Sequence, residues 1–123
     1  MPDDAREAAQ RWRQTWARGW HGHDADAVVG LYAEDAYFRS HPFRDPQPPR
    51  DYVEPTFAEE TWADCEFMEP VVDGDRAAVE WRAEVKLKDG STENLAGVSL
   101  LRFGADGLVT EQRDFWARKG DEP

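Results

Sequence analysis

The chain has 123 residues, a formal net charge of −11 and a single cysteine. This length fits one domain over residues 1–123, which can bury a core without disulfides. The negative charge repels phosphate and anionic lipid, which excludes nucleic acid and membrane surfaces as expected partners, and one cysteine excludes an intrachain disulfide and a cysteine-built metal site.

The first predicted element is a long amphipathic helix over residues 3–20, with Gly19 and Gly22 marking its end. Its alanines and tryptophans recur at helical spacing, which predicts a stripe that packs into the core. An additional role for Trp16 or Trp20 is to line a ligand cavity. The stripe consists of Ala5, Ala8, Ala9, Trp12, Trp16 and Trp20.

A second, shorter helix is predicted over residues 24–32, with Asp24 as its N-cap. Val28 and Tyr32 lie on one side of this helix because they are four residues apart. Residues 36–40 then indicate a short strand.

The next segment is rich in proline. Four prolines fall within residues 42–49, where neither a helix nor an inner strand can persist. Residues 50–60 have helical character but contain Pro55, and a helix tolerates proline in its first turn rather than further in. The third helix is therefore expected to be short, kinked or late in starting.

The C-terminal half predicts β-structure. Long runs with much alternation cover residues 62–72, 76–88, 92–103 and 108–119. The turn signals DGD, DGS and GADG separate these runs, and strands joined by tight turns are antiparallel. The order of elements predicts an α+β fold in which helices precede a curved antiparallel meander. The helices can cover one face of this sheet, so the other face meets water or a second subunit.

Two segments carry a resemblance to a known superfamily. They are HDADAVVGLYAEDAYFRSHPF at residues 23–43, a helix leading into a short strand and a proline, and DGLVTEQRDFW at residues 106–116, the closing strand. In this order they resemble the nuclear transport factor 2-like superfamily, in its SnoaL-like (polyketide cyclase-like) branch, over nearly the whole chain. The resemblance implies a cone, with a strongly curved antiparallel sheet wrapped around three N-terminal helices and an apolar pocket inside. It also implies a homodimer formed through the open sheet face.

The RDFW motif at residues 113–116 is similar to the RDYF of limonene epoxide hydrolases, whose aspartate points into the pocket and activates water. The resemblance therefore implies that Asp114 is catalytic. The alternative is a structural ion pair of Asp114 with Arg39, Arg82 or Arg113. Both faces of this strand are mixed, so alternation alone does not orient the carboxylate.

Other residues of those hydrolases match less closely. Their tyrosine and asparagine, just before the proline of this loop, are replaced here by Phe38 and Ser40. Their arginine and aspartate on the middle strand have loose counterparts in Arg82 and Glu84. Strict alternation puts this pair on the face opposite to Trp81, and the sequence leaves open which face lines the pocket.

His41 precedes Pro42, at the place where ketosteroid isomerases carry a catalytic aspartate before a proline. A pre-proline residue is held extended and the following prolines restrict the loop, so an imidazole here has a defined direction. The resemblance implies that His41 is a second catalytic residue, which faces the same cavity as Asp114 if its ring points inward. Histidine is suited to proton transfer near neutral pH, and burial raises the pKa of a carboxyl group. The alternative is a partly exposed loop histidine that bonds a backbone carbonyl.

The implied activity is cofactor-independent acid–base chemistry of isomerase, lyase or cyclase type on a small, largely apolar carbonyl compound. Two alternatives are non-catalytic binding of a small apolar ligand in the same pocket and a dimeric protein-interaction module without a pocket activity. No metal or organic cofactor is expected. The residues expected to bind the substrate are aromatic: Trp16, Tyr32, Phe38, Trp62 and Trp116.

The remaining polar candidates are interpreted as residues without a catalytic role. His21 and His23 flank Gly22 in a predicted surface loop. Cys65 has acidic neighbours that raise a thiol pKa and make it a poor nucleophile. The N-terminus is polar, and no apolar run approaches the roughly 20 residues that cross a bilayer. The sequence therefore favours a cytoplasmic protein.

Overall fold

The computed structural model of the protein describes residues 2–122, with their side chains from residue 5 onward. It contains three helices and a six-stranded sheet. None of the helices in this described part is long and apolar enough to cross a membrane. The helices are α1 (Pro2–His21), α2 (Ala25–Val29) and α3 (Pro49–Ala58), and the strands are β1 (Tyr32–Arg39), β2 (Glu60–Phe67), β3 (Val71–Asp73), β4 (Arg76–Leu87), β5 (Thr92–Phe103) and β6 (Val109–Arg118).

The sheet has the strand order β1-β6-β5-β4-β2, and β3 pairs with the start of β4. Strands β2 to β6 pair antiparallel, whereas β1 runs parallel to β6. A parallel pair is feasible because the connection from β1 to β6 contains a helix and four strands rather than a tight turn. The predicted α+β fold, a curved sheet around three N-terminal helices, is confirmed, and it includes one parallel pair at its edge.

The tryptophan stripe of α1 forms the centre of the core. Trp12, Trp16 and Trp20 are each at most 8% exposed. Edge-to-face contacts join Trp12 to Phe67 at a centroid distance of 5.5 Å and Trp20 to Trp81 at 5.8 Å. Because one ring of each pair comes from the helix and the other from the sheet, these contacts hold α1 against the inner face of the sheet.

Alternation along the long strands decides which residues face the helices. In β4, Trp81 and Val85 are buried while Arg82 and Glu84 are exposed. In β6, the same two-residue period places Asp114 on the buried face. The inner face therefore carries Asp114, and it does not carry the two β4 residues that resemble the hydrolase pair.

Helix α2 is shorter than predicted. It ends at Val29 rather than at Tyr32, because Tyr32 already pairs with Val109 in the sheet. The predicted N-cap is confirmed, since the Asp24 carboxylate accepts a hydrogen bond from the backbone N–H of Ala27 at 3.1 Å. Pairing with a distant strand has overridden the local helical pattern at its end.

Helix α3 differs from the prediction in keeping a proline in its interior. It begins at Pro49, where the fixed φ of proline suits a first helical turn. Pro55 lies inside the helix and cannot donate to the carbonyl four residues earlier, and the helix ends soon after, at Ala58. The predicted strand over residues 62–72 is divided into β2 and β3, because Pro70 interrupts the run.

Gly97 in β5 lies opposite Trp116 in β6. A Cβ atom at Gly97 would lie 2.4 Å from the carbonyl oxygen of Phe115 and 2.5 Å from the Cβ atom of Trp116. Both distances are well below van der Waals contact, so only glycine allows the two strands to approach here. The position of Trp116 therefore depends on a residue in the neighbouring strand.

We predict that Gly97→Ala lowers the free energy of unfolding by about 1–3 kcal/mol, the usual cost of forcing a methyl group into a packed region. The matched control is Gly30→Ala, because Gly30 has a φ of −62° and an added Cβ would meet its nearest atom at 3.4 Å. Urea unfolding of both variants measures the difference. Equal stabilities for the two variants would contradict the close approach at Gly97.

Candidate functional site

A cavity lies between the tryptophan stripe of α1 and the inner face of the sheet. Its volume is about 50 Å³, whereas one water molecule needs roughly 10–15 Å³. The cavity therefore has room for a few water molecules, and a larger ligand requires some of the lining side chains to move. The lining residues are Trp12, Trp16, Trp20, Tyr52, Thr56, Phe67, Trp81, Leu95, Ser99, Gln112, Asp114 and Trp116.

The lining side chains differ in exposure. Tyr52, Thr56, Leu95 and Trp116 are half-buried, whereas the other lining residues are buried. We call these four residues the mouth. Asp114 is the one acidic residue among the lining residues, and it belongs to the buried group.

The Asp114 side chain is the polar centre of the cavity. The residue is 8% exposed. Its Oδ1 atom accepts hydrogen bonds from Ser99 Oγ at 2.7 Å and from Gln112 Nε2 at 3.0 Å. No described residue donates a hydrogen bond to Oδ2. Asp114 thus has one oxygen fixed by the protein and one oxygen that can accept a proton from a molecule in the cavity.

Gln112 connects Asp114 to helix α1 and strand β1. The amide oxygen of Gln112 accepts hydrogen bonds from Trp12 Nε1 at 3.0 Å and from the Tyr32 hydroxyl. The Tyr32 oxygen in turn accepts from Trp16 Nε1 at 2.9 Å. These bonds fix the orientation of the Gln112 amide, so that its NH₂ group points at Asp114.

A second, shorter series of hydrogen bonds reaches Asp114 from β4. Trp81 Nε1 donates to Ser99 Oγ at 3.1 Å, and the Ser99 hydroxyl donates to Asp114. In both series each donor leads toward the carboxylate. The surroundings of Asp114 are therefore arranged for an acceptor, which is the ionised form of the side chain.

Burial raises the pKa of Asp114 to about 6. The hydrogen bonds from Ser99 and Gln112, and then the positive charges of Arg39 and Arg44, act in the opposite direction. Removal from water disfavours the charged form more than these groups favour it. Asp114 consequently exchanges its proton near neutral pH, which is the range in which a general acid–base works well.

Tyr52 is the other titratable residue in the lining. Burial, followed by the negative charge of Asp114, raises the pKa of the Tyr52 phenol. The hydroxyl therefore stays protonated at neutral pH and can donate a hydrogen bond. The cavity combines a proton acceptor on β6 with a hydrogen-bond donor on α3.

The aromatic residues predicted to bind a ligand do not all reach the cavity. Trp16 and Trp116 line it. Tyr32 lies behind the lining as part of the hydrogen-bond network, and the Phe38 ring packs on Tyr32 at 5.7 Å in the core. The Trp62 ring is outside the lining and lies 5.0 Å from the Lys86 Nζ atom.

His41 lies beside the mouth. Its ring stands edge-on to the Trp116 ring at a centroid distance of 4.9 Å, and its Nδ1 atom accepts a hydrogen bond from the backbone N–H of Phe43 at 3.2 Å. His41 is not among the residues that line the cavity. The structure thus brings His41 together with Trp116, and it does not place His41 and Asp114 in the same lining.

The alternative of a structural ion pair for Asp114 is not what the described residues form. No arginine lies within ion-pair distance of its carboxylate. Arg113 pairs with Glu111 at 3.0 Å, and Arg39 packs over the Phe115 ring at 5.3 Å. Asp114 is therefore buried without a countercharge in contact with it.

Three residues of the site were missed by sequence reasoning: Gln112, Ser99 and Tyr52. Gln112 carried a signal, because alternation puts it on the same face as Asp114. Ser99 lies opposite Asp114 in the β5–β6 register, which depends on the pairing of the two strands. Tyr52 comes from α3, and no local pattern places that helix beside β6.

A second buried carboxylate, Glu60, lies at the C-terminal end of the tryptophan stripe. Its Oε1 atom accepts a hydrogen bond from Trp20 Nε1 at 3.0 Å and pairs with His23 Nε2 at 3.0 Å. Burial raises the pKa of Glu60, and the hydrogen bonds from Trp20 and His23 oppose this shift. The interpretation of His23 as an exposed surface residue was wrong, since its side chain is 24% exposed and bonded to Glu60.

Within the described part of the chain, no group of three or more His, Cys, Asp or Glu residues is placed to hold a metal ion.

Comparison with known proteins adds two findings. The sequence matches the SnoaL-like domain over residues 10–112. No curated protein matches it.

Several solved structures have the same fold. The epoxide hydrolase/cyclase-like enzyme SalBIII, described in pyran ring formation in the polyether salinomycin, has a TM-score of 0.80 at 20% identity, covering 95% of each chain. An LEH-like epoxide hydrolase from M. tuberculosis has a TM-score of 0.73 at 12% identity, covering 94% of this chain and 84% of that one. A putative aromatic ring hydroxylase from Novosphingobium aromaticivorans has a TM-score of 0.75 at 20% identity, covering 98% and 97%. At these identities the likeness establishes the fold alone.

We predict that Asp114→Asn stabilises the protein at neutral pH. An unfolded aspartate has a pKa of about 3.9, whereas folding raises the pKa of Asp114 to about 6. The protonated side chain therefore favours the folded state below about pH 4, and this contribution is lost as the pH rises to about 6. The asparagine variant does not titrate, so its advantage should grow over this range to about 1–3 kcal/mol.

Urea unfolding between about pH 4 and pH 7.5 measures this difference. The control is Asp64→Asn, since Asp64 is an exposed aspartate on β2. A stability difference between Asp114→Asn and the unmodified protein that stays constant with pH would contradict the raised pKa of Asp114.

Proposed function

Because this chain belongs to the SnoaL-like domain family, we propose that its cavity binds a small, largely apolar carbonyl compound and that Asp114 transfers protons on it without a cofactor. The proposed reaction class is isomerisation, elimination or cyclisation. The observation that carries this proposal is the Asp114 carboxylate, which is buried, held through Oδ1 and free at Oδ2. Structural neighbours described as cyclase-like and epoxide hydrolase enzymes support an enzymatic role.

The proposed step is proton abstraction beside a carbonyl group. Asp114 takes the proton as the C–H bond breaks, and the electron pair moves onto the carbonyl oxygen to give an enolate. Tyr52 lines the same cavity, and its hydroxyl donates a hydrogen bond to that oxygen in the proposed step. Return of the proton from Asp114 to a different carbon completes an isomerisation. His41 acts outside the proton transfer, by holding the Trp116 ring at the mouth.

Non-catalytic binding is the second candidate, and the predominantly aromatic lining favours it. A carrier for an apolar ligand gains nothing from a buried carboxylate without a countercharge, because that group costs stability. The presence of a buried, unpaired Asp114 is therefore better explained by a catalytic role than by ligand binding alone. A pure interaction module would likewise be more stable with an apolar residue there.

The small β,γ-unsaturated ketone 3-cyclohexen-1-one tests the proposed step. We predict that the protein accelerates its conversion to the conjugated isomer, followed by ultraviolet absorbance, and that Asp114→Asn lowers kcat/KM by about 100-fold or more. Asp64→Asn is the matched control and should retain the full rate, because Asp64 is exposed on β2. Equal turnover by Asp114→Asn and the unmodified protein would remove the catalytic role.

The pH profile of the same reaction provides a second measurement. As the base must be ionised, kcat/KM should rise with pH through a midpoint of about 6 and then level off. Ser99→Ala removes a hydrogen bond that lowers the pKa of Asp114, so the midpoint should shift upward. A midpoint that Ser99→Ala leaves in place would show that another group titrates.

The outer face of the sheet is the proposed surface for a homodimer. Its central strands carry apolar side chains, with Leu100 at 43% and Phe115 at 36% exposure. Phe115 pairs across the strands with Val98, and Val98 lies two residues before Leu100 on the same face, so the three side chains form one patch. Such a patch suits an interface in which the same surface of two copies meets.

We predict that the protein sediments as a dimer and that Phe115→Glu raises the dimer dissociation constant by about tenfold or more, since it buries charge in the patch. The control is Phe43→Glu, because Phe43 is 94% exposed in a loop away from the strands. Analytical ultracentrifugation measures both variants. If the unmodified protein remains monomeric at high concentration, the proposed homodimer is rejected.

The cytoplasm is the proposed location. The Cys65 thiol donates a hydrogen bond to the carbonyl oxygen of Ala17 at 3.7 Å, and burial raises the pKa of this thiol to about 12. A free, unreactive cysteine is compatible with a reducing compartment.

A further inference from the structure

Arg44 lies next to the mouth of the cavity and is not used by the proposed proton transfer. Its Cζ atom is 5.5 Å from the centre of the Trp116 ring and 6.0 Å from the centre of the Tyr52 ring. Both rings belong to the mouth. The guanidinium group therefore stands where a molecule enters the cavity.

Hydrogen bonds within the loop that carries Arg44 orient its guanidinium group. Arg44 Nη1 donates a hydrogen bond to Ser40 Oγ at 3.1 Å, and Ser40 is 1% exposed. The backbone N–H of Arg44 bonds the carbonyl oxygen of His41 at 3.1 Å, and the carbonyl oxygen of Ser40 accepts from Trp116 Nε1 at 2.7 Å. Arg44 and Trp116 are thus both hydrogen-bonded to the same buried residue, which places the charge beside the ring.

The charge of Arg44 has no countercharge within the described part of the chain. Arg44 is exposed, and no described carboxylate lies within ion-pair distance of its guanidinium group. The positive charge of Arg44 partly opposes the rise in the pKa of Tyr52 and, after that of Arg39, the rise in the pKa of Asp114. A guanidinium group with unused donors is suited to a carboxylate or another oxyanion.

We infer that the ligand of this cavity is an anion, with an apolar part that enters beside Asp114 and a carboxylate or similar oxyanion that Arg44 holds at the mouth. This inference rests on the proposed function, because it specifies the class of molecule that occupies the same cavity. The net charge of −11 makes a local cation necessary for such a ligand, since the rest of the protein repels it. The carboxylate of the ligand is also kept apart from that of Asp114, because the ligand carboxylate binds at the mouth while Asp114 lies inside.

Benzoate and its neutral isostere benzamide separate the charge from the apolar contact. Binding is measured by calorimetry and by tryptophan fluorescence at low ionic strength and about pH 7.5, where Asp114 is ionised. Benzoate should bind roughly tenfold more tightly than benzamide, and added salt should weaken this preference. Arg44→Gln should abolish the preference while leaving the affinity for benzamide within about twofold, and Arg44→Lys should restore part of it.

The matched control is Arg50→Gln in α3, since Arg50 is paired with Asp26 and Glu54. It should keep the preference for benzoate. The inference is overturned if neither probe binds the unmodified protein, if the preference survives Arg44→Gln, or if Arg44→Gln weakens both probes equally, which is the result expected of a purely structural arginine. The isomerisation of 3-cyclohexen-1-one needs no anion, so Asp114-dependent turnover without a preference for benzoate would retain the proposed function and reject this ligand class. A preference for benzoate that depends on Arg44, without Asp114-dependent turnover, would retain the anionic ligand class and reject the proposed reaction.

Discussion

The burial of the Asp114 carboxylate beneath the tryptophan stripe of α1 is the constraint on which the rest of the structure depends. A carboxylate away from water requires hydrogen-bond donors, and here they are Ser99 and Gln112. The indoles of Trp12 and Trp16 are also buried and need acceptors of their own, which the Gln112 and Tyr32 oxygens provide. One network therefore satisfies both requirements, and it joins the helix to the strand that carries the acid.

The same network leaves one polar atom unsatisfied by the protein. Both hydrogen bonds to Asp114 end on Oδ1, so Oδ2 has no partner among the described residues. A side chain in this state costs stability, since burial disfavours its charged form more than the two donors favour it. Proteins commonly accept such a cost where a group must react, because a fully satisfied or apolar residue at that position would be stable but inert. The cavity beside Asp114 is narrow, so the side chains of its mouth have to yield to any ligand larger than a few water molecules.

The charged groups at this cavity differ between its interior and its mouth. The acid lies inside, the Tyr52 side chain lies at the mouth, and the Arg44 guanidinium stands beside the Tyr52 ring. The Arg44 guanidinium donates to a buried serine and lies over two aromatic rings, and its planar group has further donors for an oxyanion. The arrangement separates a cation at the entrance from an acid at the centre.

Much of this could be predicted from local patterns, and particular residues show where the prediction stops. The helical spacing of Trp12, Trp16 and Trp20 identified the core stripe, and the turn signals with Gly74, Gly90 and Gly107, all of which have positive φ, identified the hairpins. The proline after His41 indicated a restricted loop, but it carried no information about which way the ring points, and the ring packs on Trp116 outside the cavity lining. Asp114 was identified through a resemblance, while Ser99 and Tyr52, which complete its surroundings, were missed.

The sequence by itself determined the order of the helices and strands, the turns and the two faces of each strand, because these follow from interactions between residues close together in the chain. The tertiary structure decided which face became the inside and how Ser99 and Asp114 came to lie opposite each other. It determined that Tyr52 of α3 and Arg44 of the loop before α3 meet at one mouth. It also decided that β1 runs parallel to β6, a pairing across most of the chain. Such contacts depend on how whole elements pack to bury the tryptophans, and no pattern of neighbouring residues encodes that outcome.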